Sequence, residues 1–132
     1  MFEVNYVFDD IHCIVEVKLG EELSYDELAN IREEVRLKCA DCSEFIAIYN
    51  YALRPSFTNF SLTAYRKMSA TQLDILINVG VNVVQRSFMK LVHRIKPSSK
   101  SVYFADTIEE AIELAKDLLP NLFSDTAPPS TT

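Results

Sequence analysis

The sequence predicts a single α/β domain with one mixed, mostly parallel sheet and an N-terminal antiparallel hairpin. Apolar residues alternate along the first 19 residues, as they do in half-buried strands. Strand-sized apolar runs follow, and helical patterns separate them. Because strands that alternate with helices connect through right-handed crossovers, we expect these later strands to lie parallel in one sheet.

Two alternating segments predict the hairpin. Apolar side chains recur at every second position from Phe2 to Phe8 and again from Ile11 to Leu19. Asp9 and Asp10 separate the two segments, and two residues are the length of a tight hairpin turn. We therefore expect a two-residue turn at this pair, with an antiparallel strand on each side.

Capping signals predict the start of three helices. A Ser, Thr or Asn followed three residues later by Glu or Gln satisfies backbone N–H groups of the first turn. The pairs are Ser24 with Glu27, Asn82 with Gln85, and Thr107 with Glu110. Apolar spacings of three and four predict the side of each helix that faces the core. These residues are Leu28, Ile31, Val35 and Cys39; Val84, Phe88, Leu91, Val92 and Ile95; and Ile108, Ala111, Ile112, Ala115 and Leu119.

The remaining elements follow from apolar runs and from proline. The run from Phe45 to Tyr49 has no polar alternation, which predicts a central strand covered on both faces. Further strands are predicted at Leu73–Val79 and Val102–Ala105, and an extended loop at Arg54–Phe57. Another helix is predicted after this loop, with Phe60, Ala64, Tyr65 and Met68 facing inward. The domain is expected to span residues 1–120, followed by a flexible tail at 121–132.

Length and charge exclude several classes of protein. A chain of 132 residues suits one domain whose core needs neither disulfides nor metal. The net charge of −6 disfavours binding to nucleic acid and to anionic membranes. No segment approaches the roughly 20 apolar residues of a spanning helix, so no stable membrane insertion is expected. An acidic N-terminus and an odd number of cysteines favour a cytoplasmic, reducing compartment over a disulfide-built fold.

The C-terminal half shows a particular order of elements. A strand ends at Ile77-Asn78-Val79-Gly80, a helix begins Val83-Val84-Gln85-Arg86, a strand follows, and the last helix begins Thr107-Ile108-Glu109-Glu110-Ala111. This order resembles the anti-sigma-factor-antagonist-like family, the STAS or SpoIIAA-like fold, over roughly residues 2–119. The resemblance implies a non-enzymatic regulatory or protein-interaction module with a protein partner, which includes the option of a homodimer.

The resemblance also implies a site for phosphorylation or anion binding. Regulatory members of the family switch a partner kinase through a phosphorylated serine just after the third strand. The matching stretch here, Asn50–Ser61, offers Ser56, Thr58 and Ser61, but it lacks the Asp-Ser pair that marks the family's site. Arg54 lies next to these hydroxyls, which makes it a candidate for binding an anion or a phosphoryl group.

A basic stripe is the second candidate surface. Arg86, Lys90 and Arg94 recur every four residues, so they share one side of a helix. In an acidic protein, such clustering is typical of a docking surface for an acidic partner or a phosphate. The alternative is a solvated helix face whose cations lie near the C-terminal end, where the helix dipole favours them.

The cysteine motif predicts neither a redox centre nor a metal site. Cys39 and Cys42 form a Cys-x-x-Cys motif at the C-terminal end of a helix, where the helix dipole opposes a thiolate. Zinc would require two more ligands, and only Cys13, His12 and His93 are left. We expect Cys39 to be buried, Cys42 to lie in a turn, and the protein to use no metal or cofactor.

No residue is predicted to be catalytic. The two histidines have no serine and carboxylate in an obvious triad order, and Asp9 and Asp10 are expected to be solvated in a turn. Aromatic residues at positions 49, 51, 57, 60 and 65 are consistent with plain core or with the wall of an apolar pocket. The alternative to an interaction module is therefore a carrier of a small apolar or anionic ligand.

Overall fold

Five strands form the main sheet of the protein. The structure is a computed structural model, and it describes residues 2–51, 56–57, 73–95 and 99–120. The strands are β1 Glu3–Tyr6, β2 Ile14–Lys18, β4 Ile46–Asn50, β6 Leu73–Val79 and β7 Ser99–Ala105, in the spatial order β1-β2-β4-β6-β7. Two short strands, β3 Glu22–Leu23 and β5 Ser56–Phe57, pair parallel to each other apart from this sheet. Because β1 is antiparallel to β2 and the other pairs are parallel, the predicted α/β class is confirmed.

Helices cover both faces of the sheet. Those in the described part of the chain are α1 Tyr25–Lys38, α2 Val83–Ile95 and α3 Ile108–Leu118. Parallel strands that advance in one direction place their right-handed crossover helices on the same face. Accordingly α1 and α2 lie over one face, where Ile31 and Met89 contact the core, and α3 covers the opposite face with Ala111 and Ala115.

The middle strand β4 is buried on both faces, as its sequence predicts. Ile46 and Ile48 contact the core under α3, whereas Ala47 and Tyr49 contact the core under α1. Its backbone pairs with β2 on one side and with β6 on the other. A strand in this position offers its polar backbone groups to neighbouring strands and its apolar side chains to both helix layers.

The helix caps form where the sequence predicts them. The Ser24 hydroxyl accepts a hydrogen bond from the Glu27 amide at 3.2 Å, and the Thr107 hydroxyl accepts one from the Glu110 amide at 3.1 Å. The side chains predicted to face inward from α1 and α3 lie in the core or pack against it. The predicted helix with Phe60 and the predicted tail at 121–132 lie outside the described residues.

The N-terminal hairpin has a longer connection than predicted. A two-residue turn at Asp9-Asp10 would pair Tyr6 with Cys13, but Tyr6 pairs with Val15. Residues 7–13 form the connection, and its apolar side chains Phe8 and Ile11 pack against the core under α3. The prediction of a two-residue turn was therefore wrong. Because the shift in pairing is two residues, the same side chains still face the core.

A disulfide joins Cys13 to Cys42, with 5.8 Å between the two Cα atoms. Cys13 directly precedes β2, and Cys42 lies in the loop between α1 and β4. The bond therefore closes the crossover that joins these neighbouring parallel strands. The sequence-based preference for cysteines that stay reduced was wrong for this pair, whereas Cys39 is a buried free thiol as predicted.

Removing the disulfide should destabilise the fold. Cys13 and Cys42 are 29 positions apart, and closing a loop of this length in the unfolded chain corresponds to about 3.5 kcal/mol in the chain-entropy treatment. We expect the double variant Cys13→Ser/Cys42→Ser to lose stability of this order in urea unfolding monitored by circular dichroism. A reducing agent should lower the stability of the wild type and leave the double variant unchanged. Equal stability of wild type and double variant under oxidising conditions would contradict this prediction.

Candidate functional site

Helix α2 begins with two reciprocal hydrogen bonds. The Asn82 side chain accepts from the Gln85 amide at 2.8 Å, and the Gln85 side chain accepts from the Asn82 amide at 3.1 Å. Gly80, at the end of β6, has φ 83°, a conformation that is open to glycine at little cost. These local signals explain why the chain leaves the sheet and enters a helix here.

The side of α2 that faces the sheet carries cations. The Arg86 guanidinium lies 5.5 Å and the Lys90 ammonium 5.7 Å from the ring centre of Phe104, which belongs to β7. Arg86 also forms a 2.6 Å ion pair with Asp106 and donates from Nε to the Val81 carbonyl at 3.3 Å. Met89 adds an apolar contact with the core. Cation–aromatic and ionic contacts thus fix which side of α2 lies against the sheet.

Three of the five α2 residues that were predicted to face inward, Val84, Phe88 and Leu91, are exposed, contrary to the sequence-based prediction. Val83 and Val84 are each 78% exposed, Leu91 is 51% exposed, and Phe88 is 48% exposed. We call Val83, Val84 and Leu91 the outer face. Two sides of α2 carry side chains that could pack against the sheet. In the structure, the side that contains Arg86 and Met89 packs against it, with Arg86 over the Phe104 ring. Val92 and Ile95, which were also predicted to face inward, lie outside the side chains that the structure describes.

The structure separates the predicted basic stripe into two parts. Arg86 is held by Asp106 and Phe104, and its side chain is only 30% exposed. Lys90 and Arg94 are exposed, although the Lys90 ammonium also lies near the Phe104 ring. They lie one helical turn apart along the border of the outer face. Cations available to a partner are therefore found beside an apolar surface rather than in a purely charged stripe.

Charge is strongly segregated along the chain, a signal that the capping and stripe patterns do not reveal. Between Asp74 and Asp106 the sequence contains no acidic residue, and it contains five of the thirteen lysines and arginines. The rest of the chain therefore has eight basic residues against nineteen acidic ones, a net charge of −11. Helix α2 lies in the middle of the cationic stretch. This gap in acidic residues is readable from the sequence and could have indicated the same surface.

The other predicted site falls mostly outside the described residues. Arg54, Thr58 and Ser61 lie outside them, and Ser56 is described only as part of β5, where its backbone is opposite Glu22 in β3. Among the described parallel strands, the order β2-β4-β6-β7 never reverses. The crevice that many open α/β sheets use for ligands forms where this order reverses. The described strands do not provide such a crevice near Ser56.

Histidine, cysteine and carboxylate side chains form no metal-binding cluster in the described part of the chain. His12 stacks on Tyr6 with ring centres 4.4 Å apart, and His93 lies on α2. Within residues 2–51, 56–57, 73–95 and 99–120, no group of three or more such side chains is arranged to hold a metal ion. In the same part of the chain, no helix is both long enough and apolar enough to cross a membrane.

Two tyrosines of the predicted aromatic pocket wall are described. Tyr49 and Tyr51 are both buried in the core under α1. Phe60 and Tyr65 lie outside the described residues, and the side chain of Phe57 is not described either. The hypothesis of an apolar pocket therefore stays a prediction.

Comparisons with protein-family models, with curated proteins and with solved structures gave no match.

The Cys39 thiol should be unreactive in the folded protein. Burial, assisted by the negative charge of Asp74, raises the pKa of Cys39 to about 11 from 9.0. A shift of two pKa units lowers the thiolate fraction at neutral pH about 100-fold. We expect iodoacetamide to alkylate Cys39 at least about 100-fold more slowly in native protein than in urea, as measured by mass spectrometry. Similar rates in the two states would contradict the buried thiol.

The same pKa shift predicts that the protein loses stability as the pH rises above 9. The folded state favours the neutral Cys39 thiol. The contribution of this thiol to the free energy of unfolding is therefore present below pH 9 and is lost as pH rises toward 11. The difference in unfolding free energy between wild type and Cys39→Ala should therefore shrink over this range. A constant difference would contradict the shift.

Proposed function

We propose that this protein is a non-enzymatic protein-interaction module that binds a partner protein through the outer face of α2. It is a regulatory module of STAS-like type in this proposal. The N-terminal hairpin, the parallel strands that follow it and the capped last helix support the fold assignment. The observation that supports the interaction is the exposure of the apolar stripe of an amphipathic helix.

The argument rests on where apolar residues usually lie on a helix. An amphipathic helix of a globular domain normally buries its apolar stripe, because burial of each large side chain contributes on the order of 1.5–3 kcal/mol. In α2 the side against the sheet carries Arg86 and Met89 instead, and the exposed Lys90 extends over the edge of Phe104. A contiguous apolar surface that is left outside is typical of a protein interaction site. A partner helix or groove with its own apolar residues would cover it.

Local contacts that stabilise α2 support a preformed docking surface. Its first turn is closed by the Asn82 and Gln85 hydrogen bonds, and Arg86, the residue after Gln85, forms an ion pair with Asp106. A helix that is held in this way does not need to fold upon binding. Preorganisation lowers the entropic cost of association, so a modest apolar area is sufficient for specific binding.

A helical peptide with a leucine stripe and glutamines elsewhere provides the test. We expect backbone amide shifts in nuclear magnetic resonance spectra to concentrate in α2 during titration with this peptide. Leu91→Ser should weaken binding about fivefold, because it removes about 1 kcal/mol of apolar burial from a half-exposed leucine. The affinity is measured by fluorescence anisotropy with labelled peptide.

Leu37→Ser is the matched control for this experiment. Leu37 is an exposed leucine near the end of α1, 66% exposed and outside the proposed surface. Its replacement should leave the affinity within twofold of the wild type. Lack of binding, shifts that avoid α2, or equal effects of the two leucine variants would overturn the proposed function.

A further inference from the structure

The segregation of charge around α2 limits which partner fits the outer face. Residues 75–105 carry five lysines and arginines, one histidine and no acidic residue, within a chain of net charge −6. The outer face is at the surface of this cationic stretch. A partner that covers it therefore meets apolar side chains in the centre and positive charge along one border.

The exposed cations follow one border of the outer face. With 3.6 residues per turn, Val84 and Leu91 share one side of α2, and Lys90 and Arg94 lie to the same flank of that side. Gln85, which is uncharged, lies on the opposite flank. Lys90 and Arg94 are separated by about 6 Å along the helix axis. Acidic groups of a partner would therefore fall on one side of its apolar stripe.

We propose that the outer face of α2 binds an acidic amphipathic helix, whose apolar stripe covers Val84 and Leu91 and whose carboxylates, along one flank, pair with Lys90 and Arg94. This inference rests on the proposed function and adds the chemistry of the partner. Apolar contact supplies most of the affinity, whereas rim charges supply preference among partners and speed of association.

Other occupants fit the charges less well. A second copy bound through the same face offers Lys90 and Arg94 no carboxylate, since residues 75–105 contain none. An anionic membrane is repelled by the net charge of −11 on the rest of the chain. A nucleic acid offers no apolar stripe to cover the centre of the face. An acidic helix satisfies both the apolar centre and the charged border.

Three peptides that share one leucine stripe test the proposal. Their flanking positions carry glutamate, glutamine or lysine. We expect the glutamate peptide to bind about fivefold more tightly than the glutamine peptide at low salt, from two rim ion pairs, and the lysine peptide to bind most weakly. The ratio should approach one at 0.5 M salt, where exposed charges are screened.

Paired charge variants locate the source of this preference. Lys90→Gln/Arg94→Gln should bring the affinities for the glutamate and glutamine peptides close together. Lys18→Gln/Arg36→Gln removes the same charge from exposed residues of β2 and α1 and should preserve the fivefold ratio. An equal loss of preference in both double variants would overturn the proposal, because it would show an effect of net charge alone.

The outcomes separate this inference from the proposed function. If the glutamine peptide binds at α2 but the glutamate peptide binds no more tightly, the acidic partner is overturned and the interaction module stands. If no peptide binds at α2, both are overturned. If the protein binds vesicles of phosphatidylglycerol and phosphatidylcholine and shows no preference for the glutamate peptide, the partner of the outer face is a membrane surface and the acidic helix is overturned. If the wild type is a dimer and Leu91→Ser is a monomer, the partner of the outer face is a second copy of this chain and the acidic helix is overturned.

Discussion

Burial of β4 on both faces is the constraint on which the rest of the described structure depends. Ile46 and Ile48 on one face and Ala47 on the other are fully buried, so each face requires a covering layer. One layer is formed by α1 and α2, and the other by α3 together with the hairpin connection. Because the backbone of β4 is paired on both sides, the sheet must also extend in both directions from this strand.

Side chains are less completely buried in β7, at the edge of the sheet, than in β4. Phe104 is only partly buried there, and it is met by the guanidinium of Arg86 and the ammonium of Lys90. Long basic side chains can cover an aromatic ring with their methylene groups and keep their charge near water. The ion pair between Arg86 and Asp106 strengthens this arrangement. An apolar surface is left outside as a direct consequence, and the proposed function depends on it.

The disulfide and the hairpin act at the opposite side of the sheet. Cys13 lies at the junction of the hairpin connection and β2, and its bond to Cys42 holds the loop that leads into β4. Next to it, Tyr6 stacks on His12 and donates a hydrogen bond to the Lys38 carbonyl. These contacts connect the hairpin to the C-terminal end of α1. This disulfide-bonded region lies outside the cationic stretch of residues 75–105 that contains α2.

The sequence by itself determined the elements whose signals are local. The caps at Ser24, Asn82 and Thr107 formed as predicted, because a cap involves residues only three positions apart. The central position of β4 was also predicted, since continuous apolar residues require cover on both faces. Only the tertiary structure decided which side of α2 faces the sheet, because that choice depends on contacts with Phe104 and Asp106, which are distant in the sequence. The same physical reason applies to the Cys13–Cys42 bond and to the hairpin register, where packing of Phe8 and Ile11 against the core outweighed the local turn signal.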